Sequence, residues 1–109
     1  AYNATLINNT IYNCTNGVHL TEKNYYGVAL NNIITACTNG MTTTATYAES
    51  GFRDYNCLNC TNNYVNFTGG PHDITEDPLL TDPANKDFTL GTGSPCFASG
   101  LTIDASVGL

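Results

Sequence analysis

Basic residues are almost missing from this chain. Lys23, Arg53 and Lys86 are the whole complement in 109 residues, against nine acidic side chains, for a formal net charge of −6. Three cations cannot neutralise a run of phosphates, which argues against nucleic-acid binding and against electrostatic docking on an anionic membrane surface. Charged residues together reach 11%, far below the roughly one quarter usual for globular domains. Long apolar runs are lacking too, and nothing approaches the ~20 residues that span a bilayer. Asparagine, threonine and glycine fill the space instead, in a length suited to one domain.

Those residues repeat. Asn8-Asn9-Thr10-Ile11-Tyr12-Asn13-Cys14-Thr15-Asn16-Gly17-Val18 returns 23 residues later as Asn31-Asn32-Ile33-Ile34-Thr35-Ala36-Cys37-Thr38-Asn39-Gly40-Met41. It returns more weakly as Asp54-Tyr55-Asn56-Cys57-Leu58-Asn59-Cys60-Thr61-Asn62-Asn63-Tyr64, with Cys-Thr-Asn in the same slot at each pass. Helical repeats need about 30 residues or more, and Asn, Thr and Gly are poor helix formers. Leucine-rich repeats demand Leu at fixed positions that here hold Asn, Ile, Cys, Thr and Gly. The remaining solution is an all-β solenoid, a parallel β-helix of about 23 residues per coil. Strands are expected at Thr10-Ile11-Tyr12, Ile33-Ile34-Thr35 and Val18-His19-Leu20. Asn16-Gly17 and Asn39-Gly40 are expected at corners that need positive φ.

Stacking equivalent residues about 4.8 Å apart makes columns of like side chains. Asn9 and Asn32 are expected to stack, as are Asn16, Asn39 and Asn62, because an amide both donates and accepts along a column. Cys14, Cys37 and Cys60 form a third column. A strict period of 23 predicts an apolar inner column of Ile11, Ile34, Cys57 and Leu80. Residues 1–76 therefore read as coils and 77–109 as a closing segment. The pattern is already under way at Ala1 and no polar cap precedes Leu109, so a piece of a longer chain is expected.

The segment Asp77-Pro78-Leu79-Leu80-Thr81-Asp82-Pro83-Ala84-Asn85-Lys86-Asp87-Phe88-Thr89-Leu90, followed by Gly93-Ser94-Pro95-Cys96-Phe97-Ala98-Ser99-Gly100, resembles a closing motif of right-handed β-helix repeat proteins, DPLF-x-DPANGDF-x-L and then GSPAIDAG. The departure lies at Cys96-Phe97-Ala98-Ser99. The resemblance implies a right-handed parallel β-helix of the pectate-lyase-like and surface-protein kind. It also implies an extracellular setting, on a virion or a bacterial cell surface. A fold shared so widely implies no single activity.

Candidate chemistry is sparse. Cys57-x-x-Cys60 has the spacing of half a zinc knuckle or a redox pair, but both cysteines are accounted for as repeat slots and no second pair exists. Free, stacked thiols are expected. Asp73, Glu76 and Asp77 are candidate calcium ligands, although Asp in such turn contexts commonly bonds its own backbone. Glu49, Arg53 and Asp54 could form an outer-face acidic pair with a positioning cation; a solvated bend is the simpler account. Tyr2 and Tyr25 are 23 apart, with Tyr26 beside them, and exposed rings among amides suit sugar contact. Sequons at Asn3, Asn8, Asn13, Asn59 and Asn66 follow from the Asn/Thr composition.

No catalytic residue and no cofactor is assigned. The leading expectation is a structural or adhesive solenoid in a virion appendage or bacterial surface protein. Its partners would be copies of itself, with a trimer as the natural side-by-side arrangement, neighbouring subunits, or a surface polysaccharide. The alternatives are the C-terminal part of a polysaccharide lyase or glycosidase, and a non-catalytic carbohydrate-binding module.

Overall fold

The computed structural model describes residues 4–20, 27–44, 52–66 and 68–103. The described residues are all-β: nine of their eleven short strands form three parallel three-stranded sheets. The first repeat contributes β1 (Thr5–Ile7), β2 (Thr10–Tyr12) and β3 (Asn16–Leu20). The second contributes β4 (Val28–Leu30), β5 (Ile33–Thr35) and β6 (Asn39–Thr43). The third contributes β7 (Phe52–Asp54), β8 (Cys57–Asn59) and β9 (Asn62–Val65). Each sheet takes one strand from each repeat, in the orders β1-β4-β7, β2-β5-β8 and β3-β6-β9, an arrangement compatible with a β-solenoid.

The corners do not fall on the Asn-Gly pairs. Asn16-Gly17 opens β3 and Asn39-Gly40 opens β6. The left-handed conformation belongs instead to Asn8, Asn31 and Tyr55, between the first and second strands, and to Asn13 and Ala36, between the second and third. Asparagine tolerates that region better than other residues with a Cβ, which explains three of the five. The glycines serve packing. A Cβ on Gly40 would meet the Asn63 carbonyl at 2.5 Å and Leu58 Cδ2 at 2.8 Å, and one on Gly17 would collide with Ile34 and the Gly40 carbonyl.

The pitch is also not uniform. First and second repeats pair at an offset of 23 throughout, as in Thr10↔Ile33 and Asn16↔Asn39. Between the second and third the offset is 24 in the first two sheets, as in Val28↔Phe52 and Ile33↔Cys57. It returns to 23 in the third, at Asn39↔Asn62. The compensation occurs at one corner: Ala36 lies between Thr35 and Cys37, whereas Asn59 and Cys60 are adjacent and Thr35 pairs with Asn59.

The apolar column is accordingly Ile11, Ile34 and Leu58, and Cys57 is not in it. Leu80 is not its fourth member either. Ile74 forms an isolated parallel bridge with Cys57, while Leu80 opens β10 (Leu80–Asp82), which pairs antiparallel with β11 (Asp87–Leu90) across a short 3-10 turn, Pro83–Asn85. The Asp-Pro pair thus breaks away from the parallel stack, because proline has no N–H for a ladder.

The core lies between the three sheets. Ile34, Leu58 and Met41 are its most buried members, joined by Val18, Leu20, Ala29 and Cys37. The closing segment doubles back along the outside. Phe88 of β11 packs on Tyr12 of β2, with ring centroids 6.0 Å apart. Leu101 exchanges two 2.8 Å hydrogen bonds with the Asn31 side chain, accepting from Nδ2 and donating to Oδ1.

Candidate functional site

The first corner carries a continuous amide column. Asn32 Oδ1 accepts the main-chain and side-chain N–H groups of Asn9 at 3.0 and 3.1 Å. Asn56 Oδ1 does the same for Asn32 at 2.9 and 3.0 Å. The second Asn32 Nδ2 proton goes to Leu6 O at 2.9 Å, and Asn56 Nδ2 donates both of its protons to the backbone, to Ala29 O at 2.9 Å and Asp54 O at 3.1 Å. Asn32 and Asn56 are each 1% exposed, so the column satisfies polar groups that burial would otherwise penalise. It ends on a carboxylate: Asp73 Oδ1 accepts the Asn56 N–H at 2.8 Å.

Asp73 is therefore committed to structure. Its Oδ2 accepts the Tyr64 hydroxyl at 2.6 Å and the Gly70 N–H at 3.0 Å. Burial, and then the Asp73 carboxylate, push the Tyr64 hydroxyl far above its ordinary value. Asp77 Oδ1 accepts the Leu79 N–H at 2.9 Å, a turn bond within its own segment. Among the described residues no group of three or more His, Cys, Asp or Glu is placed to hold a metal ion, so Asp73, Glu76 and Asp77 do not assemble as ligands.

Beside this column stands an Asp–His pair. Asp54 is 5% exposed, and its Oδ1 accepts the backbone N–H groups of Tyr55 and His72 at 2.9 and 2.7 Å. The His72 Nδ1–H donates to Asp54 Oδ2 at 2.7 Å, and the imidazole stacks on the Tyr55 ring at 4.4 Å and 5°. Burial alone would raise the Asp54 carboxyl; the His72 side chain and the two backbone N–H groups overcome it and hold it below the ordinary range. The pair ties the 68–72 turn to β7. It presents an oriented imidazole, whose partners among the described residues are Asp54 and the Tyr55 ring. Of the candidate outer-face trio, Asp54 is taken up by His72 and two backbone N–H groups. Arg53 follows Leu6 and Ala29 in register and lines the interior beside Leu20 and Met41, and Glu49 lies outside the described residues.

The third sheet carries the exposed column. Asn39 Nδ2 donates to Asn16 Oδ1 at 2.9 Å and Asn62 Nδ2 to Asn39 Oδ1 at 3.0 Å. Cys14, Cys37 and Cys60 also stack, but unequally: Cys14 is exposed, Cys37 buried and Cys60 intermediate, and none is in a disulfide. Cys37 Sγ accepts the Cys14 N–H at 3.4 Å. Burial raises the Cys60 thiol.

A cleft of about 650 Å³ runs between the outer wall of the second sheet and the closing segment, lined by Tyr12, Thr35, Asp77, Leu80, Thr81 and Leu90 among others. Its size suits a small ligand, and it offers a ring face beside hydroxyl and carboxylate groups. The place of Tyr12 in this cleft was not legible in the sequence, because nothing in the repeat announces that the closing segment folds over β2. Tyr2, Tyr25 and Tyr26, the expected sugar-contact residues, lie outside the described residues. Comparison with protein-family models, curated proteins and solved structures finds no match for this chain, so geometry alone carries its functional reading.

Proposed function

We propose that this chain is part of a right-handed parallel β-solenoid with a structural or adhesive role on an extracellular surface, such as a virion appendage or a bacterial surface protein. The Asn9–Asn32–Asn56 column carries the reading. It devotes the most buried polar groups to holding neighbouring repeats together, leaving the outer faces free to vary without disturbing the stack. A low charge suits close packing with copies of itself or with neighbouring subunits.

The experiment is incubation of the chain with a panel of bacterial surface polysaccharides, followed by pull-down, oligosaccharide analysis and light scattering. The reading expects retention on a glycan or assembly into a defined multimer, with no new reducing or unsaturated ends. Release of shortened or unsaturated oligosaccharides would replace it with a lyase or glycosidase. The cleft beside Tyr12 favours a second reading, a carbohydrate-binding module, because an aromatic face beside hydroxyl groups is the usual way proteins hold a sugar ring. On that reading Tyr12→Ala abolishes glycan retention, whereas Phe88→Ala, which removes the same ring contact from a residue that does not line the cleft, leaves it.

A further inference from the structure

The hydrogen bonds around the cleft leave its side chains rich in acceptors and poor in donors. Along β2, Ile11 packs against the core, so its neighbour Tyr12 faces outward. Tyr12 stands beside its register partner Thr35, and both line the cleft. The Thr35 hydroxyl gives its proton to the Asn59 carbonyl at 3.3 Å, and the Thr81 hydroxyl gives its own to the Thr89 carbonyl at 3.0 Å. Each then has lone pairs to offer a ligand and no proton. Among the lining side chains, donors remain only at the Tyr12 and Thr92 hydroxyls.

The remaining acceptor is a fixed carboxylate. Asp77 Oδ1 accepts the Leu79 N–H at 2.9 Å, and the Leu79 carbonyl accepts the Gly91 N–H at 2.6 Å. These two bonds hold Leu79 at a φ of 55°, a region that residues with a Cβ rarely adopt. One oxygen of Asp77 is thus anchored to the turn, while Oδ2 accepts no hydrogen bond from any described residue. Among the described residues no Lys, Arg or His lines the cleft, and the chain as a whole carries a formal charge of −6.

We propose that the cleft binds a sugar bearing a free amine, a hexosamine unit, with its ring against Tyr12 and its ammonium group on the Asp77 carboxylate. This rests on the carbohydrate-binding reading of the cleft and narrows it. An ammonium group has three donors and no acceptor, which complements a lining whose threonine hydroxyls have given their protons away. Its charge-assisted bond to a carboxylate is about twice as strong as a neutral one, and the face of a tyrosine ring attracts a cation as well. N-acetylation removes the charge and two of the donors. A uronic acid would set a second carboxylate against Asp77 with no basic side chain of the lining to separate them.

The test is titration calorimetry of the chain, at mildly acidic pH where the sugar amine is protonated, with a glucosamine tetrasaccharide, its N-acetylated counterpart and a galacturonic acid tetrasaccharide. The glucosamine probe is expected to bind about tenfold more tightly than the N-acetylated one at low salt. That advantage shrinks between about 20 mM and about 0.5 M salt, and the uronate shows no binding. Asp77→Asn keeps an oxygen for the Leu79 N–H, so melting curves should match the native chain while the two affinities converge. Equal binding of the glucosamine and N-acetylated probes, or a preference that survives Asp77→Asn, would overturn the amine assignment and leave the carbohydrate reading standing. Binding of none of the three would remove both. A tetralysine peptide that binds more tightly than the glucosamine probe would also overturn the assignment, by showing that the cleft takes a basic peptide instead.

Discussion

The repeats and the closing segment hold themselves together in different ways. In the repeats one contact is used again and again: Asn9 bonds Asn32 as Asn32 bonds Asn56, and Asn16 bonds Asn39 as Asn39 bonds Asn62. The closing segment uses contacts that occur once each: a hydrogen bond from Ser94 to Pro78, the two between Asn31 and Leu101, and the packing of the Phe88 ring on Tyr12. Burial follows the same division. The second repeat has buried residues in every strand, whereas β10 and β11 have none. A column distributes its energy over neighbours that depend on each other, so damage should spread through the repeats. A set of isolated clasps should fail locally.

The largest effect is expected at the buried column. Asn32→Leu strands the Leu6 carbonyl and removes the acceptor of Asn9, and should cost about 4 kcal/mol of global stability in urea titration. Asn39→Leu, in the exposed column, should cost less than about 1 kcal/mol. Equal costs would break the distinction between a buried amide column and a surface one. Asp73→Ala leaves the Asn56 N–H, the Tyr64 hydroxyl and the Gly70 N–H without their acceptor, and about 3 kcal/mol should be lost. Gly40→Ala forces a methyl onto Asn63 and Leu58, with an expected loss of about 2 kcal/mol.

Asn31→Ala sharpens the contrast from the other side. It removes both bonds to Leu101, costs about 1 kcal/mol, and should speed amide exchange around residues 94–101 while leaving β5 and β6 protected. The Asp54 carboxyl is a local acid-sensitive clasp. Its folded pKa lies below the ordinary 3.8, so its contribution is fully present above that value and fades as pH falls through the folded pKa. Stability of the native chain should lose this contribution only below about pH 4, and Asp54→Asn should flatten that part of the acid limb.

Much of this division could be read in the sequence. Cys-Thr-Asn recurs at 23 in all three repeats because the third sheet keeps that offset across both interfaces. The same regularity hid the slip. One extra residue before β7 and one fewer after β8 cancel by the time Cys60 is reached, so the matching triplets conceal the displaced strands between them. A chemical clue was present: a strict 23 places Tyr55 beneath Asn32, and a phenol cannot continue an amide column. Asn56, one residue on, can. The slip also turned Cys57 outward, where only the closing segment could bury it. That segment was legible as a separate region, but its path back depends on the Asn31 side chain meeting the Leu101 backbone 70 residues on, with no pattern linking them.

The measurement that bears most directly on the amide column is side-chain amide hydrogen exchange by NMR, residue by residue. The account predicts that the Nδ2 protons of Asn32 and Asn56 exchange at least about a thousandfold more slowly than those of Asn62, and that Asn56→Leu, which removes the Oδ1 that accepts from Asn32, lowers the protection at Asn32. Equal exchange at Asn56 and Asn62, or protection at Asn32 that is unchanged by the loss of Asn56, would contradict it.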